Sequence, residues 1–223
     1  MSIVKIEGDR ELGRKAVSAY VDLVSKKSLV QILRKLKLHR ILGGKISLVG
    51  EGCYGKVYKL KFDKNYAFKV GRKKNAVEEK EYEALQMLSG SGVSPAPVAY
   101  CAFNDPTTYS NPVGAILMEY ISGATLFELM KKKFNKPSLS AVEDSLVDLV
   151  EKMDERGFVL PFDFHYGNVI LDKKGKELKA FIVDLADVKP YSYYKDDKTA
   201  KEINQLRLEG LMKQLRHRNQ LRY

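Results

Sequence analysis

A glycine pair at residues 43–44 separates two incompatible hydrophobic periods, and that break limits what the chain can fold into. Before it, residues 10–42 follow the period of a helix: Leu29, Ile32, Leu33 and Leu36 recur at i, i+3, i+4 and i+7. Lys26, Lys27, Arg34, Lys35 and Lys37 crowd the remaining faces. After the break, ISLVGEGCYGKVYKLKF and NYAFKV alternate with a period of two, giving short strand signals separated by Gly and Asp/Asn turns.

The two periods keep exchanging further along. Residues 75–88 (NAVEEKEYEALQML) return to helical spacing, a Gly/Ser/Pro-rich stretch (SGSGVSPAP) follows, and VAYCAF and VGAILMEYI read as strands. From residue 124 helix signals dominate. Ser140 with Glu143 has the spacing of a capping box, ahead of an apolar face of Leu146, Leu149, Val150 and Met153. NVILD and AFIVDL are strand-like, and a final helix carries Ile203, Leu208, Leu211, Met212 and Leu215. A strand-rich half with one inserted helix thus precedes a helical half with a small hairpin, which predicts an α+β protein in two lobes. The expected division is a basic helical extension at 1–45, a first lobe at 46–121 and a second at 122–223.

Composition narrows the classes. The 223 residues suffice for one sizeable domain or two small lobes. No run approaches the roughly 18 apolar residues that span a bilayer, so no transmembrane segment is expected. MSIVKIEGDRELGRK lacks the apolar stretch of a secretory signal. Cys53 and Cys101 have neither metal-ligand nor disulfide-framework spacing. The expectation is a reduced, cytoplasmic protein. The net charge of +11 invites an anionic partner, an acidic protein face or nucleic acid, docking on the basic terminal helices. A lysine-rich surface that only confers solubility is the plainer reading of the same charge.

Three stretches carry candidate chemistry. GEGCYGKV places Gly50, Gly52 and Gly55 between two strand signals, with Glu51, Cys53, Tyr54 and Val57 around them. Glycines let backbone N–H groups approach phosphate oxygens without a Cβ in the way. Because a strand and not a helix follows, the pattern favours a hairpin over nucleotide phosphates, against a dinucleotide-binding turn. In YAFKV, Lys69 stands on an apolar strand beside Ala67, and an ammonium buried there needs a partner. Glu78, Glu79, Glu81 and Glu83 on the next helix are candidates, and Glu81, four residues before Leu85 and seven before Leu88, lies beside the packed stripe. The third stretch is PFDFHYGN (161–168) with IVDLA (182–186), which sets Asp163, His165, Asn168 and Asp184 before and after strand-like runs.

Together these motifs resemble the protein-kinase superfamily over about residues 46–187, in the order that family requires. The resemblance implies a two-lobed kinase-like fold with a β-rich first lobe and a reduced helical second lobe. It also implies that the glycine hairpin covers ATP, that Lys69 holds its α/β-phosphates, and that Glu81 orients Lys69. ILMEYISG resembles the hinge between lobes, with Met118 as gatekeeper and the Glu119 carbonyl and Ile121 amide facing adenine. Asp163 would position an acceptor hydroxyl and take its proton, and Asn168 and Asp184 would bind Mg²⁺ or Mn²⁺. The implied activity is that of an atypical Ser/Thr protein kinase acting on a protein substrate or on itself.

The departures from the family are specific. Pro161 and Phe162 stand where His and Arg of H-R-D would, which removes the partner of a phosphorylated activation loop. DFHYGN is similar to the D-x-H-x-G-N of aminoglycoside and choline phosphotransferases, so a small-molecule acceptor is the alternative, with His165 sharing the catalytic role. Leu185 and Ala186 replace the Phe and Gly of D-F-G. SGSGVSPAPVAY resembles the G-V-x-x-P-x-V stretch of Rio kinases, the small KEOPS kinase and aminoglycoside phosphotransferases. Residues 187–223 contain no A-P-E and are few for a full peptide-docking platform, a reduction shared with Rio-like kinases and with compact effector kinases that bacteria inject into host cells, which would place the chain in a host cytosol. A nucleotide-gated binding module without turnover is the third reading.

Overall fold

Strands in the first half of the chain join a single antiparallel sheet. The computed structural model describes residues 3–35, 46–52, 55–74, 76–105, 112–131, 138–174 and 177–220, and the chain divides into two compact units, Met1–Glu83 with Ala96–Tyr120 and Ala84–Pro95 with Ile121–Tyr223. The first unit contains β1 (Ile3–Gly8), α1 (Arg10–Lys35), β2 (Ile46–Glu51), β3 (Gly55–Lys61), β4 (Asn65–Lys74), most of α2 (Ala76–Met87), β5 (Pro97–Phe103) and β6 (Val113–Glu119). Its six strands pair in the order β1-β5-β6-β4-β3-β2, every neighbouring pair antiparallel.

Alternation gives this sheet two different faces. Tyr58, Leu60, Tyr66, Phe68, Val70, Cys101, Phe103, Ala115 and Leu117 form one core with Ala16, Val17, Tyr20 and Val24 of α1. Tyr20 sits at its centre, edge-on to Tyr58 at 5.3 Å and to Phe103 at 5.8 Å, and its hydroxyl donates to Asp105 Oδ2 at 2.8 Å. Burial pushes the Cys101 thiol up to about 12, which keeps it an inert core residue. The opposite face carries Ala67, Lys69, Ile116 and Met118 with Tyr82 of α2, whose ring lies 6.0 Å from that of Tyr100.

Residues 1–45, expected as a helical extension, contribute a strand as well as a helix. β1 pairs along β5 from Ile3↔Phe103 to Gly8↔Ala99 and forms one edge of the sheet. At its end Gly8 turns the chain with φ +79°, and Asp9 caps α1 by accepting the Glu11 and Leu12 N–H groups at 3.0 Å each. Leu36, the last residue of the expected stripe, lies outside the described residues.

The second unit comprises β7 (Ala124–Thr125), α3 (Leu126–Lys131), α4 (Leu139–Glu155), β8 (Phe158–Val159), β9 (Val169–Lys174), β10 (Glu177–Ile182), β11 (Lys189–Pro190) and α5 (Asp197–Gln220). Its strands form a three-stranded sheet in the order β10-β9-β7 and a β11-β8 pair. Leu146, Leu149, Val150 and Met153 are buried on α4 as their spacing predicts. The cap of α4 is different from expectation: Ser138, two residues before Ser140, accepts the Ala141 N–H at 3.3 Å, while Ser140 Oγ turns to Asp144. The mixed α+β class expected from sequence is what forms, and no helix among the described residues is long and apolar enough to cross a membrane.

Two glycines with the same backbone conformation separate strain from collision. A Cβ on Gly8 would lie 2.4 Å from the Val98 carbonyl oxygen and 2.6 Å from the Tyr82 hydroxyl, whereas Gly90, at φ +78°, has nothing within 4 Å. Gly90→Ala is expected to lose about 1 kcal/mol, the strain alone, and Gly8→Ala about 3 kcal/mol or more. Urea unfolding of each variant checks this, and equal losses would show that the Val98 backbone yields freely.

Candidate active site

The register of the first sheet lines up the glycine hairpin with Lys69. Gly50 pairs with Val57, Val57 with Lys69, Lys69 with Ile116, and Ile116 with Tyr100, a single row across five strands. Gly50 is therefore two strands from Lys69, about 10 Å at the usual strand spacing. The hairpin closes through Gly52 N–H to the Gly55 carbonyl at 2.9 Å, with a bulge between Leu48 and Gly50. Cys53 and Tyr54 lie outside the described residues. Glu51 is exposed and pairs with Lys56 at 3.7 Å.

Packing explains one of the three hairpin glycines and leaves the other two open. A Cβ on Gly55 would fall 2.5 Å from the Val70 carbonyl oxygen. At Gly50 the nearest atom would be 3.8 Å away, and at Gly52 nothing lies within 4 Å. Among the described residues nothing crowds a side chain at those two positions, so packing does not demand glycine there.

Lys69 is 8% exposed and Glu81 1% exposed, and Lys69 Nζ donates to Glu81 Oε2 at 2.6 Å. The other glutamates of α2 are placed elsewhere: Glu79 binds Lys5 at 2.7 Å, Glu78 is buried, and Glu83 faces solvent. A buried ion pair of this kind adds little stability over two apolar residues of similar size, yet losing one partner strands a charge. Ala67 and Met118, both buried, face each other in register two pairs further along β4 and β6. Glu119 donates its N–H to the Ala96 carbonyl at 2.8 Å, and Ile121, in the second unit, is buried.

In the second unit the loop at 161–168 is a closed local structure. His165 Nδ1 accepts the Gly167 N–H at 2.8 Å, so in the neutral ring Nε2 carries the proton, and it faces Asp163 Oδ1 at 3.4 Å. Gly167 is required here, since a Cβ would lie 2.6 Å from His165 Cε1. Asn168 Nδ2 donates to the Asp163 carbonyl at 3.1 Å and Asn168 N–H to the His165 carbonyl at 2.9 Å. The Asp163 side chain is 65% exposed, so its carboxylate is accessible. Val169 pairs with Ile182, and Val183 N–H donates to the Asn168 carbonyl at 3.0 Å. Asn168 and the half-buried Asp184 thus stand at the same end of the β9–β10 hairpin.

The frame that holds this loop was missed in the sequence. Asn204 of α5 is fully buried. Its Oδ1 accepts the Leu160 N–H at 2.7 Å, and its Nδ2 donates to the Phe158 carbonyl at 3.0 Å and to Asp154 Oδ1 at 2.6 Å. The Tyr191 hydroxyl donates to the same Asp154 oxygen at 2.5 Å, and Arg207 donates to the Leu160 carbonyl. Both backbone groups of Leu160, three residues before Asp163, are therefore held from α5. A signal existed: Ala200, Asn204, Leu208, Leu211 and Leu215 share one helical stripe, and an amide inside an apolar stripe marks a buried hydrogen-bond network.

Chemically, the first unit offers an anchored ammonium and an open glycine backbone, both suited to phosphate oxygens. The second offers an accessible carboxylate with a histidine N–H beside it, and an amide and a carboxylate at one hairpin end. Among the described residues no three His, Cys, Asp or Glu side chains gather as metal ligands. The Asn168 and Asp184 oxygens fit a hard cation that takes its remaining ligands from phosphates and water, as Mg²⁺ does.

Two substitutions test this geometry without reference to turnover. Asn204→Ala removes three buried hydrogen bonds and is expected to cost about 2–5 kcal/mol in urea unfolding. Glu81→Ala is expected to cost about 3–5 kcal/mol by removing the carboxylate that pairs with the buried Lys69 ammonium, and Lys69→Met with Glu81→Leu to recover most of it. Additive losses in that double variant would mean that the two side chains are not coupled.

No protein-family model matches the chain and no curated protein matches it either, so its chemistry is read from its own residues.

Proposed function

We propose that this chain is an ATP- and Mg²⁺-dependent phosphotransferase, an atypical Ser/Thr protein kinase of reduced size related to the protein-kinase superfamily. The observation that carries the reading is the row Gly50–Val57–Lys69 with Lys69 held by Glu81. A buried ammonium that stability does not call for stands two strands from a hairpin in which packing calls for Gly55 but not for Gly50 or Gly52, and both suit a nucleotide's phosphates.

In this reading the hairpin backbone around Gly50 lies over phosphate oxygens and the Lys69 ammonium binds them, while the Gly52 N–H closes the hairpin on the Gly55 carbonyl and Glu81 keeps the ammonium in place. Ala67 and Met118 supply apolar surface for the base. Asn168 and Asp184 hold the divalent ion, which when bound neutralises phosphate charge. Asp163 accepts a hydrogen bond from the acceptor hydroxyl and takes its proton as the hydroxyl oxygen becomes the nucleophile. The His165 N–H faces that carboxylate and fixes its orientation.

The closed D-x-H-x-G-N turn, with His165 locked by the Gly167 N–H, favours the second reading, a small-molecule phosphotransferase. Incubation with labelled ATP and Mg²⁺ or Mn²⁺, with and without a cell extract, separates them: label on protein supports the kinase, label only on small molecules the alternative, and no transfer at all a binding module.

Three variants are expected to behave differently. Lys69→Ala loses ATP-dependent activity while keeping its circular dichroism spectrum. Asp184→Asn weakens Mg·ATP binding by calorimetry more than Asn168→Ala, because a carboxylate brings a full charge to the cation and an amide a dipole. Asp163→Asn keeps Mg·ATP affinity within a few fold and lowers transfer by about 10²–10⁴-fold. Equal loss of binding and transfer would make Asp163 structural.

A further inference from the structure

The loop that carries Asp163 is bordered by cations that no carboxylate among the described residues pairs with. Arg207 and Arg218 stand on the same side of α5, 11 positions and three turns apart, about 16 Å along the axis. The Arg207 guanidinium lies 5.8 Å from the ring of Phe162, and that of Arg218 lies 5.0 Å from the ring of Tyr166. Phe127 stacks on Tyr166 at 5.3 Å and carries Lys131 Nζ at 4.0 Å. Among the described residues none of these three cations has an ion-pair partner. Arg216, two positions before Arg218 on the same helix, is by contrast neutralised by Glu143 at 2.6 Å. Phe162, immediately before Asp163, is 84% exposed, the most exposed large apolar side chain of the described residues.

We propose that this surface of the second unit docks an acidic polypeptide, with carboxylates on both sides of the acceptor hydroxyl reaching Arg207 on one side and Arg218 and Lys131 on the other, and an apolar residue resting on Phe162. The proposal names the substrate class of the site above and rests on the reading of Asp163 as the acceptor-side residue. Guanidinium groups bind carboxylates through paired hydrogen bonds, and two separated cationic points favour an extended chain that bridges them. A single-stranded nucleic acid would bring the same charge but needs open aromatic faces for its bases. Here Tyr166 and Phe127 are stacked on each other, and all three rings, Phe162 included, already have a cation beside them. The surface is built for charge and one apolar contact, which describes a peptide.

The test uses labelled peptides with one central serine, flanked either by Asp and Glu or by Lys and Arg, and a single-stranded RNA, with binding followed by fluorescence anisotropy at low and high salt. The full chain is expected to bind the acidic peptide at least about tenfold tighter than the basic one. Arg218→Glu with Lys131→Glu, two exposed positions, is expected to erase that preference with an unchanged circular dichroism spectrum. No preference in the full chain, or a preference that survives the double charge reversal, overturns the proposal. RNA binding that falls in the double variant while peptide binding does not would assign the surface to nucleic acid and overturn it too. Labelled-ATP transfer to the same peptides separates this from the functional reading: acid-selective binding without transfer leaves the surface standing and removes the kinase, while transfer indifferent to flanking charge does the reverse.

Discussion

An ammonium on the inner row of a sheet constrains everything packed over it. Lys69 shares its row with Val57, Ile116 and Tyr100, all on central strands, and a charge there is tolerable only with a partner inside the same dry space. α2 meets the requirement by presenting Glu81 at 2.6 Å, with Tyr82 beside it packed on Tyr100. α2 is tied to the sheet through Glu81, through Tyr82 and through Glu79, which pairs with Lys5 at 2.7 Å, and the first two contacts lie on the face opposite α1. The face packed on α1 is mainly apolar, with the Tyr20–Asp105 hydrogen bond buried in it, so the ion pair and the larger apolar cluster lie on different faces of the sheet.

The second unit solves a different problem, how to hold a carboxylate rigid and exposed. Asp163 reaches solvent from a loop whose backbone is tied at both ends. Leu160 is held by Asn204 and Arg207 of α5, and Asn168 by the Asp163 and His165 carbonyls and by Val183. Reactive groups on loops depend on such frames, because a loop alone leaves a side chain with too many accessible positions. α5 then serves twice, with Asn204 and the half-buried Arg207 fixing the loop and the charges of Arg207 and the exposed Arg218 on the surface around it.

Much of this was legible residue by residue. The alternation of residues 46–70, the helical spacing of residues 75–88 and the stripe Leu146–Leu149–Val150–Met153 all report local periods, and each element formed where its period pointed. The choice of Glu81 among four glutamates followed from its place beside a packed stripe. β1 was illegible for a reason: an edge strand is defined by the partner it pairs with, and IVKIEG offers too short an alternation to announce one. The cap at Ser138 was missed because Ser140 fits the same pattern and only the start of the helix decides between them.

The sequence by itself determined the α+β class, the two faces of β4 and the identity of the groups able to carry chemistry, because period and residue type are local properties of the chain. Only the tertiary structure decided that Gly50, Val57 and Lys69 fall on one row, since register comes from pairing across strands far apart in sequence. It also decided that α5 clamps Leu160 through Asn204. That contact joins residues 44 positions apart, and no local pattern specifies which backbone groups a buried amide will find.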